Sequence, residues 1–354
     1  MDIAVVGPAP PTRGGIAQHL EGLVGALRAT GRTVAVWAWK KQYPRFMYRH
    51  PERDATAPPL EGARFTLRWW NPFSWLRVGW GVRRAGIVVF EWVTPAHALP
   101  LRAIRAMARG RVVIVVHNAD PHEPFPGHRL LTRIGLGGTA ARVTHSAAVG
   151  DRLRLMGLEV AEVIGLPASI DIIAQPAPAR PPWALLSFGH VRPYKGVDIT
   201  IDALARLVAD GVDAMLTVAG TDWDEVARLR DRAAPLGDRV AFRPGYLTAA
   251  EVSEVFGAHH IVVLSYREGS QSGVIPLAHA AGRPVVVTRV GGLAEAVTDG
   301  VDGVVVDAAD PASVATGIMR GIATFDELAR NAPASVPTWA GVAAAVLRAA
   351  GEVG

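Results

Sequence analysis

The sequence predicts an α/β fold of two doubly wound domains facing a cleft, and three observations carry that reading. At 354 residues the chain is too long for one compact core and fits two domains of ordinary size. Short apolar runs alternate with amphipathic stretches in two successive series, the pattern of parallel sheets covered by helices on both faces. Between the series lies A-Q-P-A-P-A-R-P-P-W-A (174–184), whose prolines fit neither a central strand nor a helix interior.

The elements follow in order. A β-branched run at 3–6 leads into a Gly/Pro loop from Gly7 to Gly15, an amphipathic helix over 16–30 and a strand at 33–37. The runs at 86–90 and 111–116 read as strands buried on both faces. Beyond the prolines the alternation restarts, with strands at 184–188, 214–218, 240–242, 261–264, 285–288 and 303–306 and a helix at 197–210. The expected organisation is a Rossmann-like first domain over 1–173, a linker at 174–183 and a Rossmann-like second domain over 184–334. A C-terminal helix within 335–354 is expected to cross back to the first domain.

Composition narrows the chemistry. Half of the residues are hydrophobic and 19% are charged, as in a folded globular protein. The absence of cysteine excludes a disulfide scaffold, a thiolate zinc site and a cysteine nucleophile. No run reaches the roughly eighteen apolar residues of a spanning helix, so the expected location is cytoplasmic. The net charge of +5 divides unevenly: residues 1–168 hold 22 Lys+Arg against 11 Asp+Glu, and the remainder holds 15 against 21. A basic front half suits an anionic membrane face or a phosphorylated substrate. Zinc-finger spacing and aromatic RNP patterns are missing, so no nucleic-acid partner is expected.

Three segments concentrate the candidate chemistry. S-F-G-H-V-R-P-Y-K-G (187–196) runs from a strand toward a helix, where sheets of this kind bind ligands. Gly189 lets a ligand approach the backbone, and Arg192 with Lys195 offers a fork and a point charge for a diphosphate. Two solvated cations beside a turn would give the same text. S-Y-R-E-G-S-Q-S-G-V-I-P (265–276) opens a helix near Ser272, with small residues that free backbone N–H groups for an anion and Glu268 as its one carboxylate. A plain Ser-capped helix is the alternative. T-R-V-G-G-L-A-E (288–295) adds a Gly-Gly helix start.

These segments resemble the nucleotide-sugar domain of a retaining GT-B glycosyltransferase of the family-4 type. The matching text is F-G-x-V-R-P-Y-K-G (188–196), S-Y-R-E-G-S-Q-S-G-V-I (265–275), A-x-A-x-G-R-P-V-V (278–286), G-G-L-x-E (291–295) and D-G-V-D-G (299–303). In the front half it rests on T-R-G-G-I-A-Q-H (12–19) and V-H-N (116–118). The resemblance implies that Arg192 and Lys195 bind the donor diphosphate, beside Gly189. Gly273 and Gly292 would supply helix-start amides, with Ser272 beside them, Glu268 would touch the transferred sugar and Tyr246 would lie at the nucleobase. Gly14 and Gly15 would form a loop closing over the diphosphate, and His117 would sit beside the anomeric carbon. Leu277 stands where the family usually has a second, ribose-binding glutamate, a role Glu295 could take; His190, His259 and His260 also depart from the pattern. A bacterial polysaccharide and glycolipid subgroup is similar in its S-Q-S-G and in lacking that glutamate.

The implied activity is metal-independent sugar transfer to an acceptor hydroxyl, in cell-envelope, exopolysaccharide or glycolipid assembly. A GT-B epimerase or phosphorylase, or a non-catalytic nucleotide-sugar binder, is the alternative. H-N-A-D-P-H-E (117–123) is read as substrate-facing, with Asp120, His122 and Glu123 on the acceptor side, in preference to a metal site. D-W-D (222–224) reads as a helix start. W-W-N-P-F-S-W-L-R-V-G-W (69–80), with Arg64, Arg68, Arg77, Arg83 and Arg84 around it, suits either an anionic bilayer or an internal aromatic interface.

Overall fold

The computed structural model describes residues 1–43, 52–54, 57–120, 125–221, 225–307 and 309–352. The chain forms two compact units, Met1–Gly165 with Thr338–Gly354, and Leu166–Pro337.

The first unit runs β1 (Ile3–Gly7), α1 (Gly15–Ala29), β2 (Val34–Lys41), β3 (Ala63–Arg68), α2 (Pro72–Val82), β4 (Ile87–Trp92), α3 (Ala98–Met107), β5 (Arg111–Val116), α4 (His128–Leu136), β6 (Ala141–Thr144), α5 (Ala147–Leu155) and β7 (Glu162–Val163). Its strands form one sheet in the order β3-β2-β1-β4-β5-β6-β7, with every pairing parallel. Side chains of successive strand residues leave on opposite faces, so each apolar strand feeds two cores. Ile3 and Val5 of β1 join Val113 and Val115 of β5 in one core, while Ala4, Val6, Ile114 and Val116 enter the other.

The second unit repeats the plan with β8 (Trp183–Phe188), α6 (Val197–Ala209), β9 (Ala214–Gly220), α7 (Val226–Ala233), β10 (Val240–Pro244), α8 (Ala249–Gly257), β11 (Ile261–Leu264), α9 (Val274–Ala280), β12 (Val285–Thr288), β13 (Gly303–Val306), α10 (Pro311–Ala323) and α11 (Phe325–Asn331). Its parallel sheet has the order β10-β9-β8-β11-β12-β13. In both sheets the order reverses beside the first strand, between β1 and β4 and between β8 and β11. Chain leaving the carboxyl ends there departs in opposite directions and opens a crevice, where ligands of such sheets bind.

The last helix, α12 (Trp339–Ala349), belongs to the first unit, where it packs on α1 and Arg348 pairs with Glu162. The proline-rich stretch behaves differently from the expected linker. Residues 174–183 lie inside the second unit, and the division falls earlier, at Gly165–Leu166. Prolines have no N–H to satisfy, so their carbonyls are what need partners. Pro178 O accepts from His260 Nε2 at 3.1 Å, and Pro176 O accepts from Arg283 at 3.1 Å.

Arg283 is 1% exposed and also donates to the carbonyls of Phe256 at 3.0 Å and Gly257 at 2.9 Å. Arg283→Met keeps the apolar stem and takes the charge-assisted donor from three carbonyls, of which that of Phe256 is buried and those of Pro176 and Gly257 are partly so. Urea denaturation of this variant should show a loss of about 3 kcal/mol.

Candidate functional site

The crevice of the second unit is built from the loops after β8 and β11, and their backbones are held together by one close approach. Gly196 has φ 63°, and a Cβ there would lie 2.0 Å from the Ser265 carbonyl oxygen. Only glycine fits both the conformation and the space. Ser265 Oγ donates to Gly196 O at 2.6 Å and lies 2.7 Å from Thr200 Oγ1. Arg267, from the second loop, donates to the carbonyl of Pro193 at 2.8 Å and grips Asp198 at 2.9 and 2.7 Å. Its backbone N–H donates to Tyr194 O at 2.7 Å. That pairing holds the Asp198 carboxyl below its usual range: burial pushes it up, and Arg267 more than offsets this.

This stitching fixes Lys195. The side chain turns back over Gly189, whose φ is 111° and where a Cβ would come 2.7 Å from Lys195 Nζ. The ammonium also lies 5.2 Å from the centre of the Tyr266 ring. Burial pulls the Lys195 amine down, but Tyr266 and Tyr194 outweigh it and hold the group above its ordinary value. Arg192 stands at the start of the turn 193–195, partly buried, and its carbonyl accepts from Lys195 N at 3.0 Å. The two cations therefore share one short loop at the strand-order reversal.

The other expected donor contacts surround this point unevenly. Glu268 is exposed on the second loop. Gly273 precedes α9 and is exposed, and Ser272 Oγ caps Val274 N at 3.3 Å while lying 3.2 Å from Tyr266 Oη. Tyr246 is 52% exposed just beyond β10, next to Gly245, whose N–H donates to Gly220 O at 2.9 Å. Glu295 is exposed on a three-residue 3-10 turn, 294–296. Gly292 corrects the expectation: it is buried and its N–H donates to Ser270 O at 3.1 Å, so this amide is spent inside the protein, and no α-helix starts there. Leu277 is 7% exposed in the apolar core, so α9 turns that position inward and a carboxylate there would be desolvated. His259 and His260 are structural, bonded to Val255 O and Thr217 Oγ1 and to Ala184 N and Pro178 O.

In the first unit, Gly14 (φ 113°) precedes α1, and Gly14 and Gly15 are both exposed with open space around them. His117 was expected to face the reacting carbon. The structure instead leaves it 3% exposed, with Nε2 donating to Glu91 at 2.5 Å. The other Glu91 oxygen accepts from His19 Nδ1 at 3.1 Å. Burial pushes the Glu91 carboxyl up, but His19 and His117 outweigh it and hold it far below the carboxylate range. His145 lies against both, its ring 4.6 Å from that of His19 and 5.4 Å from that of His117. Glu91 escaped the sequence reading because β4 runs two residues past the apolar stretch, and an acidic residue in a fully buried strand was the available signal. Asp120, expected on the acceptor side, accepts from Arg152 at 2.5 Å. His122, Glu123 and the 222–224 motif lie outside the described residues.

Comparison with known proteins fits this geometry. Residues 183–323 match the family "Glycosyl transferases group 1". A D-inositol 3-phosphate glycosyltransferase of Geodermatophilus obscurus is 35% identical over 159 residues, covering 42% of this chain and 35% of that one. The enzyme of that name from Acidothermus cellulolyticus is 30% identical over 225 residues, 57% of this chain and 50% of that one. The chain thus spans half or less of these relatives. Among solved structures, Anabaena Alr3699/HepE in complex with UDP aligns with TM-score 0.71 at 18% identity, covering 99% and 98% of the two chains. Sucrose-phosphate synthase from Thermosynechococcus elongatus aligns with TM-score 0.73 at 16% identity, covering 98% and 97%. The fold is GT-B, with two Rossmann-like domains.

Gly196→Ala would combine a strained φ with a clash against the Ser265 carbonyl. We expect a stability loss of about 2–3 kcal/mol by chemical denaturation, with the second unit the part affected.

Proposed function

We propose that the chain is a retaining glycosyltransferase that moves a sugar from a nucleoside-diphosphate donor to an acceptor hydroxyl in the assembly of a cell-envelope polysaccharide or glycolipid. The observation that carries this is the Lys195 ammonium, held over Gly189 three residues from Arg192 at the strand-order reversal. The match of residues 183–323 to group 1 glycosyl transferases, and a neighbour of the same fold seen with UDP, support it.

The leaving group of such a donor is already activated, so the main task is to stabilise negative charge growing on the diphosphate. Fixed cations in a partly desolvated crevice do this without reorganising during the reaction. Lys195 supplies a point charge and Arg192 a planar fork, with no metal ion needed at the diphosphate. Gly189 lets the phosphates approach the backbone, and Ser272 and Gly273 add polar contacts. Glu268 accepts hydroxyls of the transferred sugar, Tyr246 stacks on the base and Glu295 reaches the ribose. The acceptor oxygen attacks on the face from which the diphosphate departs. The anomeric C–O bond to phosphate breaks, the new C–O bond forms on that face, and the departing phosphate oxygen takes the acceptor proton. Lys195→Ala should lower kcat/KM by about 100-fold or more while leaving the thermal midpoint within a few degrees. Full activity in that variant would remove the assignment, and donor consumption that needs no acceptor would point to epimerisation.

The acceptor side carries a membrane-facing reading. The helix α2 buries Ser74, Val78, Gly79 and Val82 and leaves Phe73 81%, Leu76 52% and Trp80 64% exposed. These three recur at helical spacing on one stripe, beside exposed Arg77 and Arg84, and Arg83 stacks on Trp80 at 3.3 Å. Trp75 instead packs inward and donates Nε1–H to Arg68 O at 2.8 Å, so the aromatic segment serves core and surface at once. An apolar stripe rimmed by arginines binds an anionic interface. Among the described residues no helix is long and apolar enough to cross a membrane, so this contact is interfacial. Flotation with vesicles containing phosphatidylglycerol should recover the wild type. Phe73→Glu combined with Trp80→Glu should reduce recovery at least fivefold, and neutral vesicles should recover little of either.

A further inference from the structure

The first unit has a cleft at the edge of its sheet opposite the strand-order reversal's crevice. The text around it is basic: residues 98–116 hold four arginines and no acidic residue. Three of these, Arg102, Arg105 and Arg111, line a space of about 470 Å³ together with Thr139 and a set of alanines. It lies where α3, α4 and α12 end and where β5 and β6 begin, so it faces the amino edge of the sheet. Along the six residues of β5, that edge is roughly 16 Å from the carboxyl end. We infer that this cleft binds a soluble, multiply charged phosphate compound through Arg102, Arg105 and Arg111.

Three features point to an anion there. The first is that neutral groups hold the cations in place. Arg105 donates to the carbonyls of Gly135 at 2.6 Å and Gly137 at 2.7 Å, at the end of α4. Arg111 donates to the Ala350 carbonyl at the end of α12. Carbonyls orient a guanidinium without cancelling its charge, and each fork keeps further N–H groups for another acceptor. Helix ends attract cations, but each carries only about half a negative charge. Three guanidinium groups exceed the ends of α3, α4 and α12 by about one and a half charges.

The second feature is that no carboxylate among the described residues lines the cleft to balance this charge. Glu352, just past α12, pairs with Arg32, and Glu162 pairs with Arg348. Among the described residues Arg102 has neither a hydrogen bond nor an ion pair. Arg102 and Arg105 stand three apart on α3, a spacing at which like charges repel. Burial first, then Arg102 and Arg142, push the Arg105 guanidinium down to about 10. A polyanion seated between the forks turns that repulsion into attraction.

The third feature is the rest of the lining. Beyond the arginines it consists of alanines, Gly110, Val112 and Thr139. Among these residues no aromatic ring stacks a base and no large apolar side chain enters a bilayer, so recognition falls on the phosphoryl groups. Guanidinium forks match phosphoryl oxygens in pairs, and the Thr139 hydroxyl adds a donor. The volume admits a molecule the size of a phosphorylated sugar. A lipid headgroup offers the same phosphoryl chemistry, but the exposed apolar stripe belongs to α2, which does not line the cleft, so a soluble compound fits better.

The inference concerns the first unit alone and stands apart from the donor chemistry of Lys195. Its test removes that other cation: sodium pyrophosphate is titrated calorimetrically into the 354-residue chain carrying Lys195→Ala, at low and at high salt. We expect one equivalent to bind at about 100 μM or tighter in low salt, and about tenfold more weakly in high salt. Adding Arg102→Gln, at an exposed and unbonded position, should weaken binding about tenfold or more. Thr139→Glu, which sets a carboxylate in the lining, should abolish it. Arg129→Gln, exposed on α4 outside the cleft, should leave it unchanged. Flotation of Arg102→Gln with phosphatidylglycerol vesicles should match that of the wild type. No heat from pyrophosphate, or equal affinity with and without Arg102, would overturn the inference. Loss of flotation in Arg102→Gln would also overturn it and assign the cleft to a lipid headgroup.

Discussion

A parallel sheet whose strand order reverses must send its chain away in opposite directions on the two sides of the reversal. The second unit is organised around that constraint between β8 and β11. The crevice it opens is useful only if the two flanking loops hold a fixed distance. Gly196 against the Ser265 carbonyl, and Arg267 against Pro193, Tyr194 and Asp198, set that distance with backbone contacts. Lys195 inherits its position from them. Its charge is placed by the fold before any ligand arrives, which is the condition under which electrostatic stabilisation costs least during a reaction.

The first unit repeats the topology with different residues at the reversal. Its strand ends near the reversal carry a buried carboxylate and three imidazoles in place of a cation pair. Polar groups so deeply buried demand complete pairing, which is why two bare Nε2 atoms stand out against the otherwise bonded cluster. On its outer surface the same unit spends part of its tryptophan-rich segment on packing and leaves the rest to solvent beside arginines.

Much of the fold was legible because β-branched runs bounded by Gly and Pro have few alternatives. The strands at 111–116, 261–264, 285–288 and 303–306 fall where the apolar text places them. The short or polar strands β3, β6 and β7 were not, since Arg64, Arg68 and Glu162 break the apolar pattern and pairing alone makes them strands. The Pro-rich stretch read as a linker because proline disrupts repetitive structure, yet its free carbonyls are what bind it to His260 and Arg283. At the site, the loop of Gly189, Arg192 and Lys195 was visible from residue types and spacing. Gly292 and His117 were not, because their partners, Ser270 and Glu91, lie 22 and 26 residues away and only tertiary structure brings them together.

The central claim is that the crevice beside Gly189 is a pyrophosphate site. Calorimetry of the 354-residue chain with UDP, GDP and dTDP, each paired with its nucleoside, tests it most directly. The account predicts that at least one diphosphate binds about 100-fold more tightly than its nucleoside, with an affinity that falls as salt rises. Equal binding of a nucleoside and its diphosphate, or no heat with any of the three, would contradict it.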